Sequence, residues 1–295
     1  MILIADSGST KTHWCLMTAN GQSSEFFTDG INPFFQTQEE VRESISNQLL
    51  PQIGSLLWAG TITRIFFYGA GCTPEKSPLL AEVLEQVFCK AKAEVCSDMI
   101  GAARGLLGRE AGIACILGTG SNSCLYNGRE IVRNVPALGF ILGDEGSGAV
   151  LGKRLVADLL KGVAGEELKQ RFLEKYGTTQ AEIIDKVYRR PFPNRYLAGL
   201  SRFCADNISD PYISRLVYDH FEQFVTRNLL QYFSGTDAPS ADSTKVAFVG
   251  SIAFYYKEIL TRALADHGLH IGAVMQSPME GLKAYHRNDA VPTQI

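Results

Sequence analysis

The stretch Ile2-Leu3-Ile4-Ala5-Asp6-Ser7-Gly8-Ser9-Thr10-Lys11-Thr12-His13-Trp14-Cys15-Leu16-Met17 runs apolar, stops at a carboxylate, turns through small hydroxylated residues and becomes apolar again. Two strands joined by a glycine-containing turn account for that pattern. Such a turn either simply closes a hairpin or brings backbone N–H groups and neighbouring hydroxyls to an anion, phosphate above all. It is not a Walker A loop, which needs G-x-x-x-x-G-K-[ST] leading into a helix, because His13 to Met17 reads as a strand.

A second stretch repeats the arrangement. Ala114-Cys115-Ile116-Leu117-Gly118-Thr119-Gly120-Ser121-Asn122-Ser123-Cys124-Leu125-Tyr126-Asn127-Gly128 is again strand, small polar turn and strand. Its closing Asn127-Gly128 matches Asn20-Gly21 of the first copy, and Asn-Gly favours the tight turn of a hairpin. The fully apolar runs Ile65 to Tyr68 and Val246 to Val249, each ending in small residues, form a further pair and read as buried parallel strands. Helices are predicted between them at 38–50, 79–92, 146–160, 214–233 and 255–266. Each half therefore runs hairpin, helix, strand, with turns at strand ends, where open α/β sheets bind ligands. Two glycine hairpins facing each other across a cleft would grip a nucleotide tail. The expected division is a first domain over 1–107, a second over 108–280 with an insertion near 161–194, and a tail at 281–295 that returns to the first domain.

The chain has 295 residues, enough for two domains with ample cores. Its net charge of −3 gives no general attraction to nucleic acid or an anionic membrane, so neither is expected as a partner. No apolar run is long enough to cross a bilayer, and the first residues lack a signal-peptide pattern, which places the protein in the cytoplasm. Seven scattered cysteines without a C-x-x-C pair fit reduced core thiols better than a disulfide frame or a metal site. The five histidines are too dispersed for a metal site.

Taken in order, Asp6 to Thr12, Gly30-Ile31-Asn32-Pro33-Phe34, Cys96-Ser97-Asp98, Ile116 to Ser123, Gly139-Phe140-Ile141-Leu142-Gly143-Asp144-Glu145-Gly146-Ser147 and Phe248-Val249-Gly250-Ser251 resemble the superfamily of sugar kinases, heat-shock chaperones and actin. Within it the sequence looks closest to the N-acetylglucosamine kinase and BadF/BadG/BcrA/BcrD-type ATPase family. Single motifs are modest, but the ordered set spans nearly the whole chain. The resemblance implies an α/β fold of two ribonuclease-H-like (actin-like ATPase) domains with an interdomain cleft. It also implies ATP and Mg2+ as cofactors, an amino sugar as small-molecule substrate, and a fold compatible with a homodimer.

Phosphoryl transfer asks a protein to position phosphates, neutralise charge and orient the attacking hydroxyl. The backbone and hydroxyls of Gly8, Ser9, Thr10, Gly118, Thr119, Gly120 and Ser121 suit the first task, and the resemblance makes Thr10 and Thr119 nucleotide contacts. Lys11 either reaches a phosphate as a point charge or is a solvated turn residue. Asp6 either caps its turn or accepts bonds from the water shell of Mg2+. Asp98 either caps the helix that follows it or, as the resemblance implies, is the general base for the sugar hydroxyl.

The resemblance also carries Asp144, Asn32 and Phe34 over as sugar contacts, and an amide beside an apolar wall suits a carbohydrate. Acidic residues at a helix entrance would also suit the macrodipole, which is the structural reading of Asp144 and Glu145; Glu145 is a candidate to order water near the metal. Gly250 and Ser251 would let adenine lie close to the backbone or, more simply, make a tight helix entry. Ala137 and Leu138 stand where the family has a glycine and a tryptophan near the acetamido group, so the pocket wall differs and glucosamine, another amino sugar or an anhydro sugar also fits. The expected reaction is phosphorylation of N-acetylglucosamine at its 6-hydroxyl. The alternatives are an ATPase of the BadF/BadG activator type, with Cys96 and Cys115 as the cysteines to watch, and a non-catalytic sugar sensor.

Overall fold

The computed structural model describes residues 1–8, 10–54, 61–235 and 238–287. The chain divides into two compact units. The first comprises Met1–Glu110, Asn127–Glu130 and the chain from Ser277 on; the second comprises Ala111–Tyr126 and Ile131–Gln276.

The first unit is built on a five-stranded sheet in the order β3-β2-β1-β4-β5. Its strands are β1 Ile2–Ser7, β2 Lys11–Met17, β3 Ser23–Asp29, β4 Arg64–Gly69 and β5 Lys92–Ser97. The three strands from the hairpins pair antiparallel, whereas β1, β4 and β5 run parallel. Ile2, Leu3, Ile4 and Ala5 are all fully buried because both faces of β1 are covered. Leu3 and Ala5 join a cluster with Trp14, Phe67, Val41, Leu80 and Leu84, the last three from the helices Gln38–Ser44 and Ser77–Val87. Ile2 and Ile4 point the other way, into a cluster with Phe66, Tyr68, Met279 and Leu282. Each such buried side chain contributes about 1.5–3 kcal/mol. The helix Met279–Tyr285 closes this second face, and His286 just beyond it is pinned at 2.7 Å by the Tyr68 hydroxyl. Arg104 in turn donates to the Tyr68 oxygen at 2.8 Å and pairs with Glu94 at 2.7 Å.

The second unit repeats the strand order as β8-β7-β6-β9-β10. Its strands are β6 Ala111–Leu117, β7 Ser121–Asn127, β8 Ile131–Val135, β9 Val246–Val249 and β10 Ile271–Met275. Again the central strand and the two beyond it, β6, β9 and β10, are parallel. This repeated topology is the ribonuclease-H-like fold of actin-like ATPases. The region 161–194 is largely helical. It forms the helices Glu166–Tyr176 and Gln180–Tyr188, whose Phe172 and Ile183 are each 1% exposed within the core.

Several helices differ from the sequence expectation. The predicted 214–233 helix begins earlier, at Pro211, because Asp210 caps it through the N–H groups of Tyr212 and Ile213. After Phe224 it passes through a π-helical turn, Val225–Leu229. The predicted 79–92 helix is shifted to Ser77–Val87, and Lys92 already starts β5. All seven cysteines are free thiols; five are buried, but Cys89 is exposed and Cys96 is intermediate, so the core-thiol expectation fails at Cys89. Among the described residues no helix is long and apolar enough to cross a membrane, and no cluster of His, Cys, Asp and Glu has a metal-holding arrangement.

Candidate functional site

In the first unit, parallel pairing places Ser7 beside Gly69 and Gly69 beside Ser97, so β1, β4 and β5 end level with one another. Asp6 lies one residue before the end of β1, and Asp98 immediately follows β5 as the first residue of the helix Asp98–Leu107. The helix cap is Ser97, whose hydroxyl accepts from the Ile100 N–H at 3.4 Å. That removes the capping reading of Asp98. Its carboxyl is pushed above the usual aspartate range by burial, with backbone N–H groups at Met99 and Asp98 opposing. Asp6 is raised to about 7, first by burial and then by the charge of Asp98, with Lys11 opposing.

The turn that follows Asp6 is anchored from inside. Ser7 and Thr12 are fully buried and share a hydroxyl hydrogen bond of 2.7 Å. Ser7 Oγ also lies 2.9 Å from the Ile31 carbonyl and Thr12 Oγ1 3.0 Å from that of Asp29, so the two hydroxyl hydrogens serve three contacts between them. These inward hydroxyls tie the Asn32 loop to the β1–β2 turn, a role the sequence reading did not assign. Gly8, Thr10 and Lys11 face outward, and the Lys11 ammonium lies 5.4 Å over the Phe27 ring. Ser9 lies outside the described residues. Gly8 has an ordinary backbone angle, and a Cβ there would meet nothing closer than the Lys11 carbonyl at 3.9 Å, so the fold itself does not demand glycine.

Asn32 comes to the same end of the sheet. Its Oδ1 accepts from the Phe34 N–H at 3.0 Å and sits over Gly71, where a Cβ would lie 2.0 Å away. Its amide nitrogen donates to no partner among the described residues. Phe34 is 61% exposed and stacks edge-on against Phe35 at 5.1 Å. Asp6, Asn32 and Asp98 thus come to the end of the mixed sheet where its parallel strands β1, β4 and β5 finish, the end at which open α/β sheets bind ligands.

In the second unit, the turn Gly118-Thr119-Gly120 is closed by the Gly118 N–H donating to the Gly120 carbonyl at 2.9 Å. The start of the helix Gly148–Leu160 grips the same turn, its Gly148 and Ala149 N–H groups donating to the carbonyls of Gly118 and Thr119. Asp144 reaches this turn, with Oδ2 at 3.2 Å from the place a Cβ on Gly120 would take. Burial raises its pKa, helped by Glu145 and opposed by the Ser121 backbone and Lys153. Its own N–H donates to the Ala137 carbonyl at 2.8 Å. Leu138 is 64% exposed at a positive φ of 65°.

Two further sequence candidates, Gly250 and Ser251, also have packing roles. Gly250, at φ 117°, is required by packing, because a Cβ would stand 2.3 Å from the Leu117 carbonyl. Ser251 is the exposed first residue of the short helix Ser251–Tyr255, a tight helix entry. Glu145 is held by an ion pair with Arg227 at 2.8 Å and by the Asn228 amide at 3.4 Å. Nothing in the sequence flags Arg227 or Asn228, which lie in a helix more than eighty residues downstream.

Two ribonuclease-H-like units, each with a small-residue turn after its central strand, and acidic residues at the strand ends define an actin-like ATPase of the sugar-kinase class. A solved structure from Porphyromonas gingivalis, provisionally named an N-acetylglucosamine kinase, is 50% identical, with 98% of this chain and 99% of that chain covered and a TM-score of 0.92. A second, from Chromobacterium violaceum and likewise provisionally named, shares the fold at 19% identity over 96% of this chain and 98% of that one, with a TM-score of 0.74. The N-acetylmuramic acid/N-acetylglucosamine kinase of Clostridium acetobutylicum is 28% identical over 206 residues, 67% of each chain. No family model matches the chain. The chain belongs to the N-acetylglucosamine kinase family and is a sugar kinase, an ATP-dependent phosphotransferase.

Proposed function

We propose that this protein transfers the γ-phosphoryl group of ATP to the 6-hydroxyl of an amino sugar, N-acetylglucosamine in the first instance. The observation that carries the reading is Asp98: a shielded carboxylate at a helix start, released from capping by Ser97 and grouped with Asp6 and Asn32. As the hydroxyl oxygen bonds to the γ-phosphorus, Asp98 takes its proton and the bond to the ADP oxygen breaks. Asn32, whose amide nitrogen donates to no partner among the described residues, and Asp144, in the second unit, hold sugar hydroxyls; Phe34 and Leu138 offer apolar surface.

The phosphates belong to Gly8, Ser9, Thr10 and Lys11 and to Gly118, Thr119, Gly120 and Ser121. Glycine at 8 and 118 is unexplained by crowding, since the nearest atom to an added Cβ is 3.9 Å away at the first and 4.0 Å at the second, and close ligand approach accounts for both. The Asp6 environment fits Mg2+: two carboxylates with one opposing lysine are a site whose charge a divalent cation would balance. When bound, Mg2+ supplies charge neutralisation on the phosphates. The activator alternative finds no support in the thiols: Cys115 is fully buried, and burial raises both it and Cys96.

The test is ADP release measured across N-acetylglucosamine, glucosamine, N-acetylmuramic acid and glucose. A rate that depends on an amino sugar supports the reading. ATP hydrolysis indifferent to every sugar would overturn it.

A further inference from the structure

The loop Gly143-Asp144-Glu145-Gly146-Ser147 is held in an unusual backbone state. Asp144 has a positive φ of 55°, which a non-glycine residue adopts at some cost. The helix Pro211–Phe224 and the turn after it support the loop from behind at successive helical intervals. The buried His220 ring lies beside the backbone of Gly146 and Ser147, with no hydrogen-bond partner for its Nε2 among the described residues. One turn on, Phe224 packs where a Cβ on Gly146 would fall, 3.0 Å from its ring. A further turn on, Arg227 and Asn228 take the two carboxylate oxygens of Glu145.

Consecutive residues of a regular α-helix point about 100° apart and do not share one small target. Here the Leu230 N–H bonds to the Val225 carbonyl, and this π-helical turn widens the helix where Arg227 and Asn228 lie. Glu145 itself is well shielded, its side chain 16% exposed, while that of Arg227 is 61% exposed. The arrangement spends a buried asparagine, an arginine and an irregular helix turn on a single carboxylate next to Asp144.

We infer that Arg227 and Asn228 are positioning residues: by fixing Glu145 they hold the adjacent Asp144 in the positive-φ conformation that presents its carboxyl to the sugar. This rests on the reading of Asp144 as a sugar contact. It gives Glu145 a tethering role instead of the water-ordering one.

The test compares wild type, Arg227→Met and Arg227→Lys by hydrogen-exchange mass spectrometry of peptides covering 143–149, by thermal melting, and by steady-state kinetics in both substrates. Arg227→Met should speed exchange in that loop and raise the KM for the sugar about tenfold, the equivalent of one charged contact. The KM for ATP and the melting temperature should hardly move, and Arg227→Lys should recover part of both effects. Unchanged exchange overturns the clamp, whether or not the wild type phosphorylates sugars. Faster exchange with an unchanged sugar KM overturns the link to Asp144. A wild type without sugar-dependent ADP release defeats the kinase reading, and with it the inference that the clamp serves sugar binding, even where faster exchange confirms the contact.

Discussion

Asp6 and Asp98 stand at the carboxyl ends of β1 and β5 with only β4 between those strands, and the charge of Asp98 helps push the carboxyl of Asp6 up to about 7. A fold that places two shielded carboxylates this close destabilises its own ligand-free state, and proteins accept such arrangements at sites that bind or react.

Asp98→Asn should preserve ATP binding and the fold while lowering kcat by about 10²–10⁴-fold, the range for loss of a general base. Calorimetric titration with ATP and the ADP-release rate check the two halves separately. Because burial raises Asp98 above the ordinary aspartate range, the wild-type rate should fall on the acid side at a higher pH than an exposed aspartate would give.

Asp6→Asn should stabilise the ligand-free protein, and only at higher pH. The folded-state pKa lies above the unfolded value, so the folded state binds the extra proton and stability declines as pH rises through the interval from 3.8 to about 7. The full shift corresponds to at most about 4 kcal/mol. Thermal melts should show the variant several degrees above wild type at pH 8 and level with it at pH 4. Equal melting temperatures at both pH values would remove the electrostatic account of this site.

Two glycines should respond oppositely. Gly250→Ala places a Cβ 2.3 Å from the Leu117 carbonyl at a φ of 117°, and should cost about 2–4 kcal/mol of stability in denaturant titration. Gly8→Ala meets no atom nearer than 3.9 Å and should leave stability unchanged. Its expected effect is on ATP, a loss of about 1.5 kcal/mol or more and hence a tenfold or greater rise in KM. Normal nucleotide affinity in Gly8→Ala would argue that this turn does not approach the phosphates.

The paired hairpins were legible because their signals are local: strand periodicity, small turn residues and Asn-Gly closures all lie within a few residues of one another. The Asp210-Pro211 start of the helix is equally local, a capping side chain before a proline, and sets the helix start at Pro211 instead of the expected 214. Ser97 against Asp98 shows the ordinary limit at boundaries, since either residue type caps a helix and only geometry separates them. Contacts made by tertiary packing left no trace in the sequence. Tyr68 and His286 are 218 residues apart, and Glu145 and Asn228 are 83 apart; neither pair follows from spacing or residue type. The packing at Gly250 was hidden for a related reason, because what approaches it is the Leu117 carbonyl on a strand remote in sequence.

The most direct measurement is the initial rate of ADP formation by the wild-type protein with ATP and Mg2+, with and without N-acetylglucosamine, alongside Asp98→Asn. The account expects a rate that rises steeply with the sugar, yields the 6-phosphate and collapses in the variant. Sugar-independent ADP release, or an undiminished rate in Asp98→Asn, would contradict it.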